Sequence, residues 1–429
     1  MRIRVSRTRP KSRRGEDLGG SFLINLLKAW LADARSTPDT RHVDVCDGLR
    51  ALAILIVGWY HIWQQSWLGP HFVLFGRYVS FDPLVRSGYM WVDVLILISG
   101  FCLYLPWARL EQGDPPPDAR DFYARRLMRI HPSFLLDVLV MLAVALALGS
   151  YQTPGHLKQD LLSHLTYTHT FFYNAYYATN LGGTVWTLAI EMQFYLLFPL
   201  LARAFRRFPA AVFAAMTFGA LAFRLWVGAR FADISMYFNQ LPAFLDVFAL
   251  GMAAAAIHVR LSRVKRGALV RIVCSVGAIA LIPLVWRVVR MQASSVGTEA
   301  IRQGQMDHRI MIAGLAAAFL LLSANAGLVL RRILGNPLTR FISAVSMQFF
   351  IWHQTLAVWF LRFRVVPSAM EHPNYDGDAV WQMRYTILCF AASIALAALL
   401  TYGFERPIAR ALQKRWNAWR GSKKKDVAK

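Results

Sequence analysis

The sequence predicts an all-α protein, a polytopic membrane helix bundle of about ten transmembrane helices with both termini cytoplasmic. Three observations predict it. Apolar runs of spanning length recur along the 429 residues, 56% of residues are hydrophobic and 13% aromatic, and alternate breaks between the runs are rich in arginine and lysine. That composition is too apolar for an ordinary soluble domain.

In chain order the expected spans are 48–67, 84–106, 131–149, 186–202, 209–228, 240–257, 268–286, 310–328, 341–361 and 385–404. Each is long enough to cross a hydrocarbon core of about 30 Å. Most of the 48 basic residues lie in the terminal segments and in loops 107–130, 203–208, 258–272 and 329–340. The bias places these parts in the cytoplasm, and an even number of spans agrees. The chain then divides into a basic segment 1–43, a transmembrane domain 44–408 and a basic tail 409–429 in a cytoplasmic (inner) membrane.

A net charge of +24 fits a nucleic-acid binder in a soluble chain. Here it fits basic loops beside anionic lipid, and no nucleic-acid partner is expected. The four cysteines (Cys46, Cys102, Cys274, Cys389) form no C-x-x-C pair or disulfide framework. His164 and His169, five apart, lack helical metal-ligand spacing, so no metal is assigned.

The first 34 residues imitate a signal peptide, but Lys28 interrupts the apolar patch and Glu16 and Asp17 precede it. An amphipathic helix on the cytoplasmic leaflet fits better, with Phe22, Leu23, Leu26, Leu27 and Trp30 on one side. Loop 107–130 contains Asp114-Pro115-Pro116-Pro117-Asp118, a stiff linker before a basic helix start. Outer loop 150–185 carries Tyr167, Tyr173, Tyr176 and Tyr177, which suit either a sugar-like acceptor or an interfacial aromatic belt.

The first span holds two costly ionisable groups, Arg50 and His61. Their spacing advances a helix by about 16 Å and three turns plus roughly 20°, so both share one face. A guanidinium at the mouth and an imidazole deep in the bilayer suggest an anchored anion at one end and proton chemistry at the other.

Asp47-Gly48-Leu49-Arg50-Ala51-Leu52-Ala53 through Tyr60-His61 resembles the opening block of the acyltransferase-3 family, integral membrane acyltransferases of bacterial surface glycans, lipids, peptidoglycan and some macrolides. Similar blocks follow in family order. They are Trp91-Val92-Asp93 through Ser99-Gly100-Phe101, Phe122-Tyr123-Ala124-Arg125-Arg126-Leu127-Met128-Arg129-Ile130-His131-Pro132, and Trp186-Thr187-Leu188-Ala189-Ile190-Glu191-Met192-Gln193-Phe194-Tyr195 with Pro199. Leu241-Pro242-Ala243-Phe244 to Gly251, His353 and Glu405-Arg406-Pro407 complete a resemblance from about residue 44 to 408. The chain departs from the family pattern at Trp91, Leu95-Ile96, Thr187 and Gln354-Thr355, and at none of Arg50 or His61.

The resemblance implies an O-acyltransferase that moves an acyl group, acetyl as the first expectation, from cytoplasmic acyl-coenzyme A to a hydroxyl of a surface polysaccharide, lipid-linked glycan or related acceptor. The residue chemistry agrees. Arg125, Arg126 and Arg129 beside Tyr123 offer guanidinium forks suited to the phosphates of acetyl-CoA, with positive-inside anchoring as the alternative role. His61 would meet the thioester as general base or as acyl carrier, with Arg50 its companion. Asp93, Glu191, Trp186 and Tyr195 are expected to support this centre, with Glu191 balancing His61 or an arginine and Asp93 paired to a partner such as Arg50 or Arg86; a purely structural ion pair is the equal alternative for both carboxylates, and an interfacial anchor for Trp186. Glu405 and Arg406 are expected to form a cytoplasmic pair. A transporter or flippase of a glycan or lipid is the rival class, although Gly/Pro-interrupted helix pairs in matching halves are absent from the sequence.

Overall fold

The computed structural model describes residues 42–264 and 267–427. Among the described residues, ten helices are long and apolar enough to cross a membrane. They are α1 (Asp44–Ser66), α2 (Trp91–Ala108), α3 (Ala119–Ala147), α4 (Trp186–Arg207), α5 (Pro209–Arg230), α6 (Leu245–Ser262), α7 (Ala268–Ala293), α8 (Thr298–Ala324), α9 (Pro337–Arg362) and α10 (Ala379–Leu400). A π-helical segment, Thr401–Glu405, joins α10 to the basic helix α11 (Arg406–Val427). The amphipathic helix expected around Phe22–Trp30 lies outside the described residues.

Local chemistry sets the helix starts. Asp44 and Asp47 occupy the first turn of α1, where the helix dipole favours negative charge. Asp118 accepts the backbone N–H of Arg120 at 2.8 Å and opens α3. Asn336 caps α9 by accepting from Leu338 and Thr339, and Pro337 takes the first helical position.

The centre of the bundle is α1 and α2. In the most apolar stretch of α2, 78% of residues are buried, against 6% for α7, whose Leu269, Ile272 and Val273 are exposed to the surroundings. Helix α1 packs against both α2 and α9, and α2 packs against α6. The α2–α6 seam brings backbone against backbone. A Cβ on Gly100 would lie 2.7 Å from the Phe248 carbonyl oxygen, and one on Gly251 would collide with the Leu97 carbonyl. Small residues serve membrane packing in this way because close approach maximises dispersion contact.

Two buried ion pairs tie α2, α5, α6 and α8 together. Arg224 donates to both carboxylate oxygens of Asp246, at 3.0 and 2.6 Å, and Arg309 lies 3.4 Å from Asp93. Both guanidiniums also donate to the Ala243 carbonyl, which the 3-10 turn Leu241–Phe244 leaves available at the head of α6. Charges this deep are tolerated because each is paired and hydrogen-bonded.

The structure has the expected helical bundle and differs from the expected detail in four places. A two-stranded hairpin, β1 (His71–Leu74) with β2 (Arg77–Ser80), interrupts the all-helical pattern. Its turn, Phe75–Gly76, has positive φ at both residues (50° and 73°), the signature of a tight hairpin. Helix α3 begins twelve residues earlier than the apolar run 131–149 suggests, so the basic helix start that carries Arg125, Arg126 and Arg129 is continuous with the span. Glu405, expected at the cytoplasmic surface, is buried and accepts from Gln348 Nε2 at 3.1 Å, because the π-helical segment carries it into the bundle; Arg406 beside it lies over the Tyr402 ring.

The fourth difference concerns residues 150–185, which fold as a cap. Helix Pro154–Leu165 presents Asp160 to Tyr151, Thr179 and the backbone N–H of Asn180. Burial opposes the charge on Asp160, but His164 and these donors outweigh it and hold its carboxyl below the usual range. His164 and His169 stack with ring centroids 4.0 Å apart, and burial together with the neighbouring His164 keeps His169 neutral, well below the ordinary imidazole value. Tyr176 and Tyr177 bind Asn239 and Asp233, and Tyr167 binds His131, so these three tyrosines help tie down the cap, while Tyr173 and part of Tyr177 stay exposed.

Candidate functional site

Among the described residues, Arg50 and His61 of α1 each line a cavity in the bundle. The first, about 150 Å³, opens near the arginine-rich end of α3 and is lined by Arg50, Cys102, Arg126, Arg129, Glu191 and Tyr195 among others. The second, about 420 Å³, lies toward the other end of α1 and is lined by residues including Tyr60, His61, Asp93, Trp186, Asn239 and Arg309. Val92 of α2 and Phe350 of α9 belong to both walls. The two cavities therefore abut at these side chains.

In the basic cavity the arginines come from two helices. Arg50 is half-buried and donates toward the Cys102 sulfur at 3.8 Å. The Arg126 guanidinium sits over the rings of Phe122 and Tyr195, at 5.6 and 5.5 Å. Tyr195, one turn after Glu191, donates its hydroxyl to that carboxylate at 2.9 Å. Three guanidiniums and one carboxylate thus share a single recess. Such a site suits a polyanion, since planar forks match phosphate oxygens.

Not every expected member of this cluster reaches the cavity. Arg125 points to the surface, with its side chain 53% exposed and paired to Asp121 at 3.8 Å. Tyr123 is exposed and donates to the Leu196 carbonyl at 2.9 Å. The helical turn explains both: positions 126 and 129 share the inner face of α3, whereas 123 and 125 do not.

The second cavity has an aromatic and polar lining. His61 Nδ1 lies 2.9 Å from Gln64 Oε1, and Gln64 Nε2 donates to the Tyr60 hydroxyl at 3.1 Å. The His61 ring packs edge-on to Tyr60, at 4.9 Å, and 5.2 Å from the ring of His353. His353 is fully buried and its Nδ1 binds the Phe349 carbonyl at 2.9 Å. Gly58 makes this approach of α9 to α1 feasible, because a Cβ there would lie 2.5 Å from the Phe349 ring. Asp93 pairs with Arg309, not with Arg50 or Arg86 as expected; Arg86 is paired with Asp82. Glu191 lies in the basic cavity and hence not beside His61, while Trp186 lines the His61 cavity and faces Phe244 with centroids 6.1 Å apart.

The family model described as an acyltransferase domain matches residues 45–406, which takes in both cavities and every helix that builds them. The chain belongs to the acyltransferase-3 family. Among similar proteins, Nodulation protein 10 of Rhizobium leguminosarum bv. viciae is 29% identical over 53% of this chain and 64% of its own length. A putative peptidoglycan O-acetyltransferase of Bacillus subtilis is 27% identical, and an O-acetyltransferase of Staphylococcus aureus 29% identical, over 38% and 37% of this chain. The chain spans 24% of the length of each of these two, and less than two thirds of all three curated relatives. No solved structure matches the chain.

Several lining residues of this acyltransferase-3 chain escape sequence reasoning. Phe350 reads as one apolar residue among many, and only packing distinguishes it. Arg309 lies at the edge of an expected span and reads as an outer-loop residue. Arg224 and Asp246 carried a usable signal, since a lone arginine in one span requires a partner in another.

Proposed function

We propose that this protein is a membrane O-acyltransferase that passes an acyl group, acetyl in the first instance, from acyl-coenzyme A to a hydroxyl of a surface polysaccharide or lipid-linked glycan. The observation that carries the proposal is the meeting of the two cavities at Val92 and Phe350, with guanidiniums on one side and His61 on the other. The arginine-rich end faces the cytoplasm of a cytoplasmic (inner) membrane, in keeping with the concentration of basic residues in α11 and the α3 start. The names of the Bacillus and Staphylococcus relatives support acetyl transfer.

In this reading Arg126 and Arg129, with Arg50 deeper, hold the coenzyme's phosphates, and the thin pantetheine arm passes the Val92–Phe350 neck. The acceptor sugar occupies the His61 cavity, where Tyr60, Tyr89 and Trp186 offer faces for a pyranose ring. His61 Nε2 takes the proton of the acceptor hydroxyl while that oxygen forms a bond to the thioester carbonyl carbon. The C–S bond then breaks, the imidazolium returns its proton to the departing sulfur, and the products are the O-acyl ester and free coenzyme A. Asp93–Arg309 shapes the cavity wall without touching the imidazole proton.

Mass spectrometry of surface glycans from wild-type, deletion and His61→Ala strains tests the proposal. Loss of one acyl group per modified unit in both altered strains is expected. Unchanged glycans in both would remove the glycan acceptor, and uptake of a solute without coenzyme A release would favour a transporter.

A further inference from the structure

We infer that Gln64 is a positioning residue that holds His61 in the tautomer protonated on Nδ1. The inference rests on the reading of His61 as the general base. In neutral imidazole one nitrogen donates and the other accepts. The Nδ1 of His61 faces Gln64 Oε1 at 2.9 Å, and an amide oxygen only accepts, so the proton resides on Nδ1. Nε2 then carries the free lone pair that a base requires.

The amide itself is held. Its Nε2 donates to the Tyr60 hydroxyl at 3.1 Å, and all three residues lie on the last two turns of α1, at spacings of three and four that bring helical side chains together. Tyr60 is in turn confined. Its ring packs against Tyr89 at 5.3 Å, and its Cβ would stand 2.7 Å from any Cβ placed on Gly88. Other candidates for orienting His61 are committed elsewhere: Asp93 to Arg309, Glu191 to the other cavity, and His353 Nδ1 to the Phe349 carbonyl. A neutral amide therefore stands where a carboxylate orients the base in a Ser-His-Asp triad.

The test compares Gln64→Leu with Gln64→Glu in the full-length protein, in membranes that retain their own acceptor, using radiolabelled acetyl-CoA. A carboxylate accepts from both neighbours, because the Tyr60 hydroxyl can turn to donate, so it preserves the tautomer. Leucine removes the acceptor. We expect Gln64→Leu to lower kcat by about 10- to 100-fold, the range for groups that orient a functional histidine, with KM for acetyl-CoA little changed. Gln64→Glu is expected to recover most of that loss. Equal loss in both variants would mean that the amide donates to Nδ1, or acts only structurally, and would overturn the inference. Wild-type turnover in Gln64→Leu would overturn it as well. His61→Ala separates the two levels: if it still transfers acetyl, the base reading itself fails, whereas an inactive His61→Ala beside a fully active Gln64→Leu removes the role of Gln64 alone. Monodisperse elution of every variant in detergent checks folding.

Discussion

Asp93 of α2 and Arg309 of α8 form a buried ion pair, 3.4 Å apart, in the wall of the cavity that holds His61. Arg309 is also braced by the Phe244 ring at 4.1 Å and by the carbonyls of Phe238 and Ala243. Removing one partner leaves the other charge buried and uncompensated. Asp93→Ala should therefore destabilise the bundle by about 3–5 kcal/mol. Asp93→Leu combined with Arg309→Met should lose much less than the single changes together. Thermal unfolding in detergent checks this, and additive losses in the cycle would show that the pair is not coupled.

The guanidiniums of α3 separate by direction. Arg126→Ala and Arg129→Ala should each raise KM for acetyl-CoA by about 10- to 100-fold, since a charge-assisted contact contributes roughly 1.5–3 kcal/mol. Arg125→Ala, which alters only the exposed pair with Asp121, should leave KM near wild type. Initial-rate kinetics over a range of acetyl-CoA concentrations decide it. An equal effect at all three positions would point to general basicity rather than a shaped phosphate site.

The proposed passage of the acyl arm past Val92 and Phe350 has a consequence for acyl-chain length. Phe350→Ala should admit longer thioesters, raising the butyryl-to-acetyl ratio of kcat/KM by about tenfold or more, the scale on which a methylene is discriminated in an apolar pocket. Phe350→Trp should slow both donors. Competition between the two coenzyme A esters in one assay reads the ratio directly. An unchanged ratio in Phe350→Ala would mean that the acyl arm does not pass this side chain.

Acid should loosen the outer cap before the membrane core. His169 is held well below its ordinary value of 6.5, by burial and then by His164. The unfolded cap therefore binds a proton that the folded cap refuses, and stability falls as pH drops below about 6.5. Asp160 is held below its ordinary 3.8, so its contribution is present above that value and is lost at still lower pH. Hydrogen exchange across residues 150–185 between pH 7.5 and 5 measures the first effect. His169→Phe, which keeps an aromatic ring in the stack beside Phe134, should flatten the profile. A profile as steep as wild type would exclude His169 as its source.

Much of the fold was legible because membrane spans declare themselves by length and apolarity, and all ten appear where runs such as 209–228 and 268–286 indicate. Helix ends were less legible. The start of α3 is amphipathic and strongly basic, so hydropathy hides it, and the Phe75–Gly76 hairpin sits in a loop that hydropathy does not describe. At the candidate site, Arg50, His61 and Glu191 stood out because charge in a span is costly, and Tyr195 followed from its place one turn beyond Glu191. The partner of Asp93 did not. Arg309 lies more than two hundred residues away in sequence, and only the packing of α8 on α2 brings them together. Val92 and Phe350 were illegible for a different reason: an apolar residue at a neck has the same chemistry as one in the core.

In the proposed reaction, donor and acceptor meet at His61 from opposite ends of the bundle. This meeting is tested most directly with sealed membrane vesicles of known sidedness, carrying wild-type or His61→Ala protein and given radiolabelled acetyl-CoA. Label in glycan, with free coenzyme A released, is expected only when donor is supplied to the arginine-rich face of the wild-type protein. Equal labelling by His61→Ala, or labelling only from the opposite face, would contradict it.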